Sequence, residues 1–266
     1  MRVGIVQLCS TDDLAANLAT AEQRVAEAAD AGAEWVCLPE NFAYLRREGT
    51  DFPCAQGLDG PILDAARGWA QRHAIWLLAG TFPERAGSGR VYNTSVLLDP
   101  EGATVAVYRK IHLFDVDLGE HGGGRFQESA TIEPGDQPVV AESPFGRIGM
   151  SVCYDLRFPE LFRGYAAAGA RFLTVPSAFA RETGKDHWEP LLRARAIENQ
   201  CFVIAPAQWG RHTPDRASHG RSMLVDPWGL VLALAPDRPC VLVAECDLEA
   251  QDRIRSALPC QSHRRL

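Results

Sequence analysis

The stretch at residues 149–161, GMSVCYDLRFPEL, is the part of the chain from which its fold and chemistry are most readily inferred. It begins as a small apolar run and ends in a charged segment, and Cys153 stands where the two meet. A buried strand that stops there and turns into a helix would present the Cys153 side chain at the carboxyl end of a sheet, where α/β enzymes place reactive groups. A free cysteine is more commonly a small core residue, and this stretch alone leaves that alternative open.

Length and composition indicate an ordinary globular protein. The chain has 266 residues, of which 46% are hydrophobic and 23% charged, which suits one large α/β domain and argues against disorder. The formal net charge is −7 and there is no long basic run, so we expect no nucleic-acid partner. No apolar stretch approaches the roughly 18 residues of a membrane span, and the amino-terminal apolar run is too short for a signal peptide. We therefore expect a cytoplasmic protein with no membrane partner.

The cysteines do not form a recognisable metal or redox motif. All 8 are spread along the chain without a CxxC pair, which argues against a zinc ribbon or a dithiol redox site. Most lie in apolar runs, and a reducing cytosol would keep them as free thiols. We expect most of them to be core residues.

Strands and helices alternate along the whole chain. Periodicity and turn residues predict strands at 2–8, 34–40, 74–82, 171–179, 201–208 and 240–247, helices at 14–32, 61–73, 159–168, 187–199 and 248–258, hairpins at 91–108 and 220–245, and a polar loop at 210–220. Asp12 or Thr11 is the expected cap of the first helix. The hairpins are incompatible with a purely parallel sheet. The pattern predicts a single α/β domain, residues 1–266, built as a four-layer α-β-β-α sandwich with two mixed sheets.

Three polar residues, Glu40, Lys110 and Cys153, each follow an apolar strand. If these strands are neighbours in one sheet, their carboxyl ends converge on one site. A thiol is activated by an adjacent base, and a carboxylate whose pKa is raised by burial can be that base. The lysine ammonium and the backbone N–H of Tyr154 would stabilise the negative oxygen of a tetrahedral intermediate. Taken singly, Glu40 is typical of a capping or surface carboxylate, and Lys110 of a solvated strand end.

A cysteine–histidine pair is the main alternative to this trio. His112 lies two residues from Lys110 and would face the same side of a strand, and His187 is a second candidate. A structural or substrate-facing role for His112 also fits this position.

Three blocks of the chain resemble the signature blocks of the nitrilase superfamily of carbon–nitrogen hydrolases. They are LPENF (38–42), YRKIHLFD (108–115) and GMSVCYDLRFPEL (149–161). The stretches at 176–208 and 210–229, and the ending LPCQSHRR (258–265), resemble the Nit branch of that superfamily. The resemblance runs from residue 2 to residue 265, and three blocks in order are a far more specific signal than one short motif.

The resemblance implies a catalytic site of four residues. Cys153 is the implied nucleophile, Glu40 the general base and Lys110 the oxyanion stabiliser, with Glu128 as a second active-site glutamate. Without the family, Glu128 would be read as a surface charge on a loop. The implied reaction is attack of the thiolate on an amide carbonyl, loss of the amine and hydrolysis of a thioester, with no metal and no organic cofactor.

The substrate is expected to be a small anionic amide of a 2-oxo acid. The later blocks are closest to those of enzymes that hydrolyse deaminated glutathione, a metabolite-repair reaction. The alternatives are an ω-amidase acting on 2-oxoglutaramate or 2-oxosuccinamate, a true nitrilase, which the blocks favour less, and a non-catalytic binding protein of the same fold. The residues expected to contact substrate are Tyr154, Arg157, Ser177, His219 and Arg221.

Two features depart from the family pattern. The Gly-rich loop at 119–128 carries Glu120, where relatives often have an apolar run with proline, and Trp209 occupies a position where relatives often have a smaller residue.

The five basic side chains between 211 and 221 are candidates for binding substrate carboxylates, because arginine holds a carboxylate through two hydrogen bonds. A solvated basic loop is the alternative. The family implies at least a homodimer, and helix 187–199 is the expected interface unless it is simply buried against the sheet.

Overall fold

The structure of the chain is a computed structural model, and it describes residues 1–265. The strands are β1 (Arg2–Gln7), β2 (Trp35–Cys37), β3 (Trp76–Leu78), β4 (Phe82–Arg85), β5 (Val91–Leu98), β6 (Thr104–Arg109), β7 (Asp115–Asp117), β8 (Arg125–Gln127), β9 (Val139–Ala141), β10 (Arg147–Met150), β11 (Ala170–Thr174), β12 (Phe202–Ala205), β13 (Trp209–Thr213), β14 (Arg216–His219), β15 (Met223–Val225), β16 (Val231–Leu234) and β17 (Cys240–Glu245). The α-helices are α1 (Leu14–Asp30), α2 (Pro61–His73), α3 (Pro159–Ala167), α4 (Arg181–Asn199) and α5 (Leu248–Ala257).

Two mixed sheets form the centre of the molecule. The first has seven strands in the order β17-β1-β2-β3-β5-β4, with β6 also paired to β5, and its parallel pairs are β1–β2 and β2–β3. The second has six strands in the order β16-β15-β12-β11-β10-β9, and its parallel pairs are β10–β11 and β11–β12. Both sheets also contain antiparallel pairs, among them the hairpins β5–β6 and β15–β16 and the long-range pair β1–β17, so the predicted mixed sheets are confirmed.

Side-chain alternation sorts these elements into four layers. In β1, Val3 and Ile5 point into a core shared by the two sheets, whereas Val6 points into a second core beneath α1 and α2. This is the period of two expected for a strand that is buried on both faces. Trp35 and Phe172 meet edge to face across the shared core, with ring centroids 5.7 Å apart. Helices α3 and α4 cover the outer face of the second sheet, which confirms the α-β-β-α sandwich.

Close approach of α1 to the first sheet depends on Gly4. A Cβ atom at this position would come within 2.9 Å of the Ala28 Cβ and 3.1 Å of the Ala33 Cβ. Real Cβ atoms do not approach so closely, so the small residues on both sides set the spacing between helix and strand.

Three predictions about where elements begin or end are wrong. Helix α1 is capped by Asp13, whose carboxylate accepts from the Ala16 N–H at 3.0 Å, rather than by Asp12 or Thr11. Helix α4 begins at Arg181, six residues before the predicted start, because the polar segment ahead of His187 follows the same helical path. The hairpin predicted at 220–245 ends with β16, since β17 crosses to the first sheet and pairs with β1.

The polar loop predicted at 210–220 is in fact the β13–β14 hairpin. His212 anchors it, because this side chain is buried and its ring nitrogens lie 2.9 Å from the Ser10 carbonyl and 2.9 Å from Ser218 Oγ. The pKa of His212 is lowered to about 4. Burial is the main cause, the charge of Arg216 acts in the same direction, and the Ser10 carbonyl opposes both. The apparent polarity of this segment therefore hides a buried neutral imidazole.

Candidate active site

Cys153 lies at the sharp turn that follows strand β10. Its φ of 49° is in the left-handed region, which is uncommon for a residue with a side chain and marks a constrained position. The Cys153 N–H donates to the Pro176 carbonyl at 3.0 Å, and a 3₁₀ turn runs from Cys153 to Arg157. The first N–H groups of a helical turn have no acceptor within the turn, so the Tyr154 N–H is available to donate to a group placed beside the thiol.

Glu40 follows strand β2 and is buried, with 3% of the residue exposed. Its Oε1 accepts from Asn93 Nδ2 at 2.8 Å and from Lys110 Nζ at 3.2 Å, and its Oε2 accepts from the Ala178 N–H at 2.6 Å. These donors fix both oxygens of the carboxylate, so its orientation is set before any substrate binds.

Lys110 follows strand β6 and lies between two carboxylates. Besides Glu40, its Nζ donates to Glu128 Oε1 at 3.0 Å and Oε2 at 2.8 Å. The Phe114 N–H donates to the same Glu128 at 2.6 Å. Glu128 thus holds the ammonium in place from the loop after β8, which explains why a loop glutamate belongs to the site.

The sequence suggested that Glu40, Lys110 and Cys153 follow neighbouring strands of one sheet. In the structure they follow strands of two different sheets. Glu40 and Lys110 follow strands of the seven-stranded sheet, whereas Cys153 follows a strand of the six-stranded sheet. The two sheets pack face to face, and the strands β2 and β10 deliver their carboxyl ends to the same edge of the sandwich. The site therefore forms at the seam between the sheets.

The charges of the site differ from the expectation for Glu40. Burial alone would raise the pKa of Glu40, but the Lys110 ammonium, the Ala178 N–H and the Cys153 thiol together lower it. Burial raises the pKa of the Cys153 thiol well above its usual value, and the Glu40 charge raises it further against the opposing effect of Lys110. The resting site thus holds a neutral thiol beside an ionised carboxylate. In this arrangement the thiol proton can move to Glu40 only when the thiol itself reacts.

Lys110 remains an ammonium in this environment. Burial would lower the pKa of Lys110, but the charges of Glu128 and Glu40 outweigh that effect and raise it. An ammonium that cannot lose its proton at neutral pH is suited to stabilising an oxyanion and is unsuited to acting as a base.

His112 pairs with Asp155 rather than with Cys153. Its Nδ1 lies 2.7 Å from Asp155 Oδ1, and its ring stacks on Phe158 at a centroid distance of 3.6 Å. His187 Nδ1 lies 3.3 Å from Arg157. Neither imidazole contacts the thiol, so the geometry supports the trio over a cysteine–histidine pair.

Asp155 is a fully buried carboxylate that connects the turn of Cys153 to the strand of Lys110. Its Oδ2 accepts from Tyr108 Oη at 2.7 Å and from the Val152 N–H at 2.8 Å, and its Oδ1 also accepts from the His112 N–H at 3.0 Å. Donors from both sheets thus converge on one side chain two residues after Cys153.

A cavity opens onto Cys153. Glu40, Lys110 and Glu128 line its polar end. Aromatic rings form much of the remaining wall: Phe52, Phe114, Phe126, Tyr154 and Phe179. A concave pocket that combines aromatic walls with a few convergent polar groups is typical of a small-molecule site.

Of the residues predicted to contact substrate, only Tyr154 lines this cavity. Arg157 lies behind the wall, with its guanidinium 5.8 Å from the Tyr154 ring centroid and 5.2 Å from that of Phe179. Ser177 is buried and donates its hydroxyl to the Val175 carbonyl at 3.0 Å.

His219 and Arg221 line a separate surface cavity with Asp237. The guanidinium of Arg221 forms an ion pair with Asp237 at 3.0 Å.

Two residues of the cavity wall, Asn93 and Arg46, were not singled out from the sequence, and a third, Arg216, was one of the five basic candidates between 211 and 221. Asn93 Nδ2 bridges toward Glu40 at 2.8 Å and Glu128 at 3.5 Å, while its buried Oδ1 has no hydrogen-bond partner within residues 1–265. Arg46 and Arg216 line the same cavity. Arg216 belongs to the basic segment noted above, but nothing in the sequence separates it from its neighbours. Arg46 stands in a segment without periodicity, six residues after Glu40.

This fold and site define a class of enzyme. The chain belongs to the carbon–nitrogen hydrolase family, whose sequence model matches residues 2–256. A deaminated glutathione amidase of Synechocystis is 43% identical over 97% of this chain and 96% of its own length. The crystal structure of the C. elegans NitFhit protein has a TM-score of 0.90 and 38% identity; it matches 99% of this chain, which spans 65% of the NitFhit length. Saccharomyces cerevisiae Nit3, a member of branch 10 of the nitrilase superfamily, has a TM-score of 0.88 and 30% identity over 100% of this chain and 97% of its own.

No helix within residues 1–265 is both long and apolar enough to cross a membrane.

Proposed function

We propose that this protein is an amidase that hydrolyses deaminated glutathione, a small 2-oxo acid amide, through a thioester on Cys153. The observation that supports it most directly is the placement of Lys110 Nζ, 3.2 Å from Glu40 and 2.8 Å from Glu128, at the cavity end where Cys153 opens. A base, an ammonium and a thiol held together in a buried site are the parts that acyl transfer requires. The substrate is inferred from the relatives of that name.

In the proposed first half-reaction, the sulfur of Cys153 attacks the amide carbonyl while its proton passes to Glu40. The oxygen gains negative charge and is stabilised by the Lys110 ammonium and the Tyr154 N–H. The C–N bond then breaks, and Glu40 returns the proton to the leaving amine. The products of this half-reaction are a thioester and the free amine.

In the second half-reaction, a water molecule attacks the thioester carbonyl. Glu40, again a carboxylate, takes a proton from that water and passes it to the departing sulfur. The carboxylic acid leaves, and the thiol and the carboxylate are restored. Every proton transfer uses groups of this chain, so the scheme requires no metal and no organic cofactor.

The test of this proposal is the Cys153→Ala variant. We expect it to lose amide hydrolysis by at least about 10³-fold, since no other nucleophile is placed to form the acyl intermediate. Its thermal unfolding should stay close to that of the wild type, because a buried thiol contributes little packing. Retained turnover in a properly folded variant would refute the role of Cys153.

An ω-amidase is the second candidate, because the polar end of the cavity would serve any 2-oxo acid amide. Comparing kcat/KM for deaminated glutathione and 2-oxoglutaramate under equal conditions separates the two. The aromatic wall favours the larger substrate, since ammonia as a leaving group leaves that wall without a contact. A large preference for 2-oxoglutaramate would overturn our choice. A binding protein of the same fold would hydrolyse neither.

We also infer a homodimer or a higher homo-oligomer. Ile197 on helix α4 and Trp228 and Leu230 in the neighbouring turn are 49%, 56% and 56% exposed. They adjoin one another, because a Cβ atom on Gly229 would lie 2.6 Å from the Ile197 side chain. Adjacent exposed apolar residues of this size are typical of an interaction surface, and this one includes the end of the predicted interface helix.

Two further properties are proposed on the same basis. The eight free cysteines, of which Cys260 is exposed, suit a reducing compartment, so we infer a cytoplasmic location. We also infer that residues 1–266 fold as one carbon–nitrogen hydrolase domain, although Leu266 lies outside the described residues. The core shared by both sheets supports that inference.

A further inference from the structure

Arg46 is a buried cation without a carboxylate partner. Only 5% of the residue is exposed. Its guanidinium donates to the Arg47 carbonyl at 3.2 Å and to Thr131 Oγ1 at 2.7 Å, and it lies 4.8 Å from the ring centroid of Phe52. These contacts use two of its five N–H groups, and no aspartate or glutamate of residues 1–265 forms an ion pair with it.

The other two buried cations of the described chain are paired. Lys110 lies 2.8 Å from Glu128, and Arg195 lies 2.8 Å from Glu198. Burying a charge costs a great deal of free energy unless an opposite charge compensates it. Arg46 is therefore the one buried cation among residues 1–265 without an ion-pair partner, and Glu48, Asp51 and Glu128 compensate its charge only from a longer distance.

A second guanidinium faces the same cavity. Arg216 lines it beside Arg46, and the nearest carboxylate to Arg216 is that of Glu48, at the long distance of 3.9 Å. Burial lowers the pKa of Arg46, Glu48 raises it and Arg216 lowers it, so the two positive charges act on each other in the presence of the Glu48 carboxylate, which lines the same cavity. Glu48 offsets only part of their repulsion, because it forms no ion pair with Arg46 and only a long one with Arg216.

The position of Arg46 relative to the catalytic residues is fixed. It lies on the segment that follows Glu40, and its bond to Thr131 ties that segment to the loop of Glu128. The ring of Phe52 supports the flat face of the guanidinium. A guanidinium held in one plane is suited to binding a carboxylate through two parallel hydrogen bonds.

We propose that Arg46, with Arg216 beside it, binds a carboxylate of the substrate and makes the enzyme selective for anionic amides. This inference rests on the proposed amidase function. The carboxylate can come from two places in deaminated glutathione: the 2-oxo acid end or the terminal glycine. In 2-oxoglutaramate only the first is present.

The test compares substrates that differ in this one charge. In 4-oxopentanamide a methyl group replaces the carboxylate of 2-oxoglutaramate. For the Arg46→Met variant we expect KM for the anionic amides to rise roughly 10- to 150-fold, the range for a hydrogen-bonded charge pair. Their kcat should change little, because the contact is equally strong in ground and transition states. Kinetics on 4-oxopentanamide should be unchanged.

The two sources of the carboxylate are separated by the two anionic substrates. A penalty on both places the bound carboxylate at the 2-oxo acid end, and a penalty on deaminated glutathione alone places it at the glycine end. Arg46→Lys keeps the charge without the planar fork, so we expect an intermediate KM. Arg216→Met should shift KM in the same direction, which provides a second variant if Arg46→Met does not fold.

Arg253→Met, an exposed arginine on α5 outside the cavity, is the matched control and should leave all three substrates unaffected. If Arg46→Met and Arg216→Met lose activity equally on charged and neutral amides, the arginines only support the loops and the inference is wrong. Inhibition of the wild type by glutarate, weakened in the same variants, gives the same discrimination if the neutral amide turns over slowly. A wild type that hydrolyses no amide would instead refute the proposed function.

Discussion

The carboxylate of Asp155 is the point at which the two halves of the site are joined, and replacing it with asparagine tests that role. The substitution keeps the shape of the side chain and exchanges one acceptor oxygen for an NH₂ group. In the native structure each oxygen accepts from two donors: Tyr108 and the Val152 N–H on Oδ2, and two groups of His112 on Oδ1. An amide has only one oxygen to serve both pairs.

The expected cost can be worked out for either orientation of the new amide. If the NH₂ group replaces Oδ2, the Tyr108 hydroxyl can rotate and accept, but the Val152 N–H loses its acceptor. If it replaces Oδ1, the His112 imidazole can accept, but the His112 N–H loses its acceptor. One backbone N–H is thus left unpaired, at about 1–3 kcal/mol, and the remaining bonds lose their charge assistance. We expect Asp155→Asn to lower the free energy of unfolding by about 2–4 kcal/mol.

The same change should reduce activity, because the Val152 N–H lies directly before the nucleophile. A shift of about 1 Å at Cys153 is expected to lower the rate by roughly 10²-fold. Urea denaturation measures the stability, and kcat/KM for the preferred amide measures the activity. Tyr108→Phe removes one of the four donors and should cost less, and Asp252→Asn, at an exposed ion pair, should cost under about 1 kcal/mol. The reasoning fails if Asp155→Asn matches the Asp252→Asn control in both measurements.

Two further predictions concern pH and assembly. The pKa of His212 is about 4 in the folded chain and 6.5 in the unfolded chain. The neutral imidazole therefore contributes about 3 kcal/mol to the free energy of unfolding above pH 6.5, and this contribution is lost as the pH falls toward 4. His212→Asn should make the free energy of unfolding in urea less dependent on pH over that range, and an unchanged pH dependence would contradict the assignment. Combining Ile197→Asp with Trp228→Ser should shift the protein to monomers in sedimentation experiments, while Val105→Asp, at an exposed position on the other sheet, should not; unaltered assembly would place the interface elsewhere.

The sequence predicted most elements because their patterns are local. Apolar periodicity identified α1 and α2, and the DPEG and DPWG turns identified the hairpins β5–β6 and β15–β16. The β13–β14 hairpin was missed because its stability comes from a distant contact, the bond between His212 and the Ser10 carbonyl. A pattern within the segment cannot reveal a partner 202 residues away.

For the site, the residue types were predictable and their surroundings were not. A strand end followed by a glutamate, a lysine or a cysteine can be seen in the sequence. That Glu40 and Cys153 come from different sheets depends on how the sheets pack, which no single strand specifies. The lowered pKa of Glu40 likewise depends on the Ala178 N–H and on Lys110, which only the folded chain brings near. Arg46 was missed because one of two adjacent arginines in an aperiodic segment looks like a surface residue until its burial is known.

The position of β17 has a consequence for how this chain is made. This strand pairs with β1 over six residues, from Arg2 opposite Glu245 to Gln7 opposite Cys240. During synthesis β1 leaves the ribosome first, yet the strand that covers its free side is among the last to emerge. Until then the growing chain presents an apolar edge strand to other chains, which is a known route to aggregation. Truncations that remove β17 should therefore leave most of the site residues in place in the sequence and still yield a protein that aggregates.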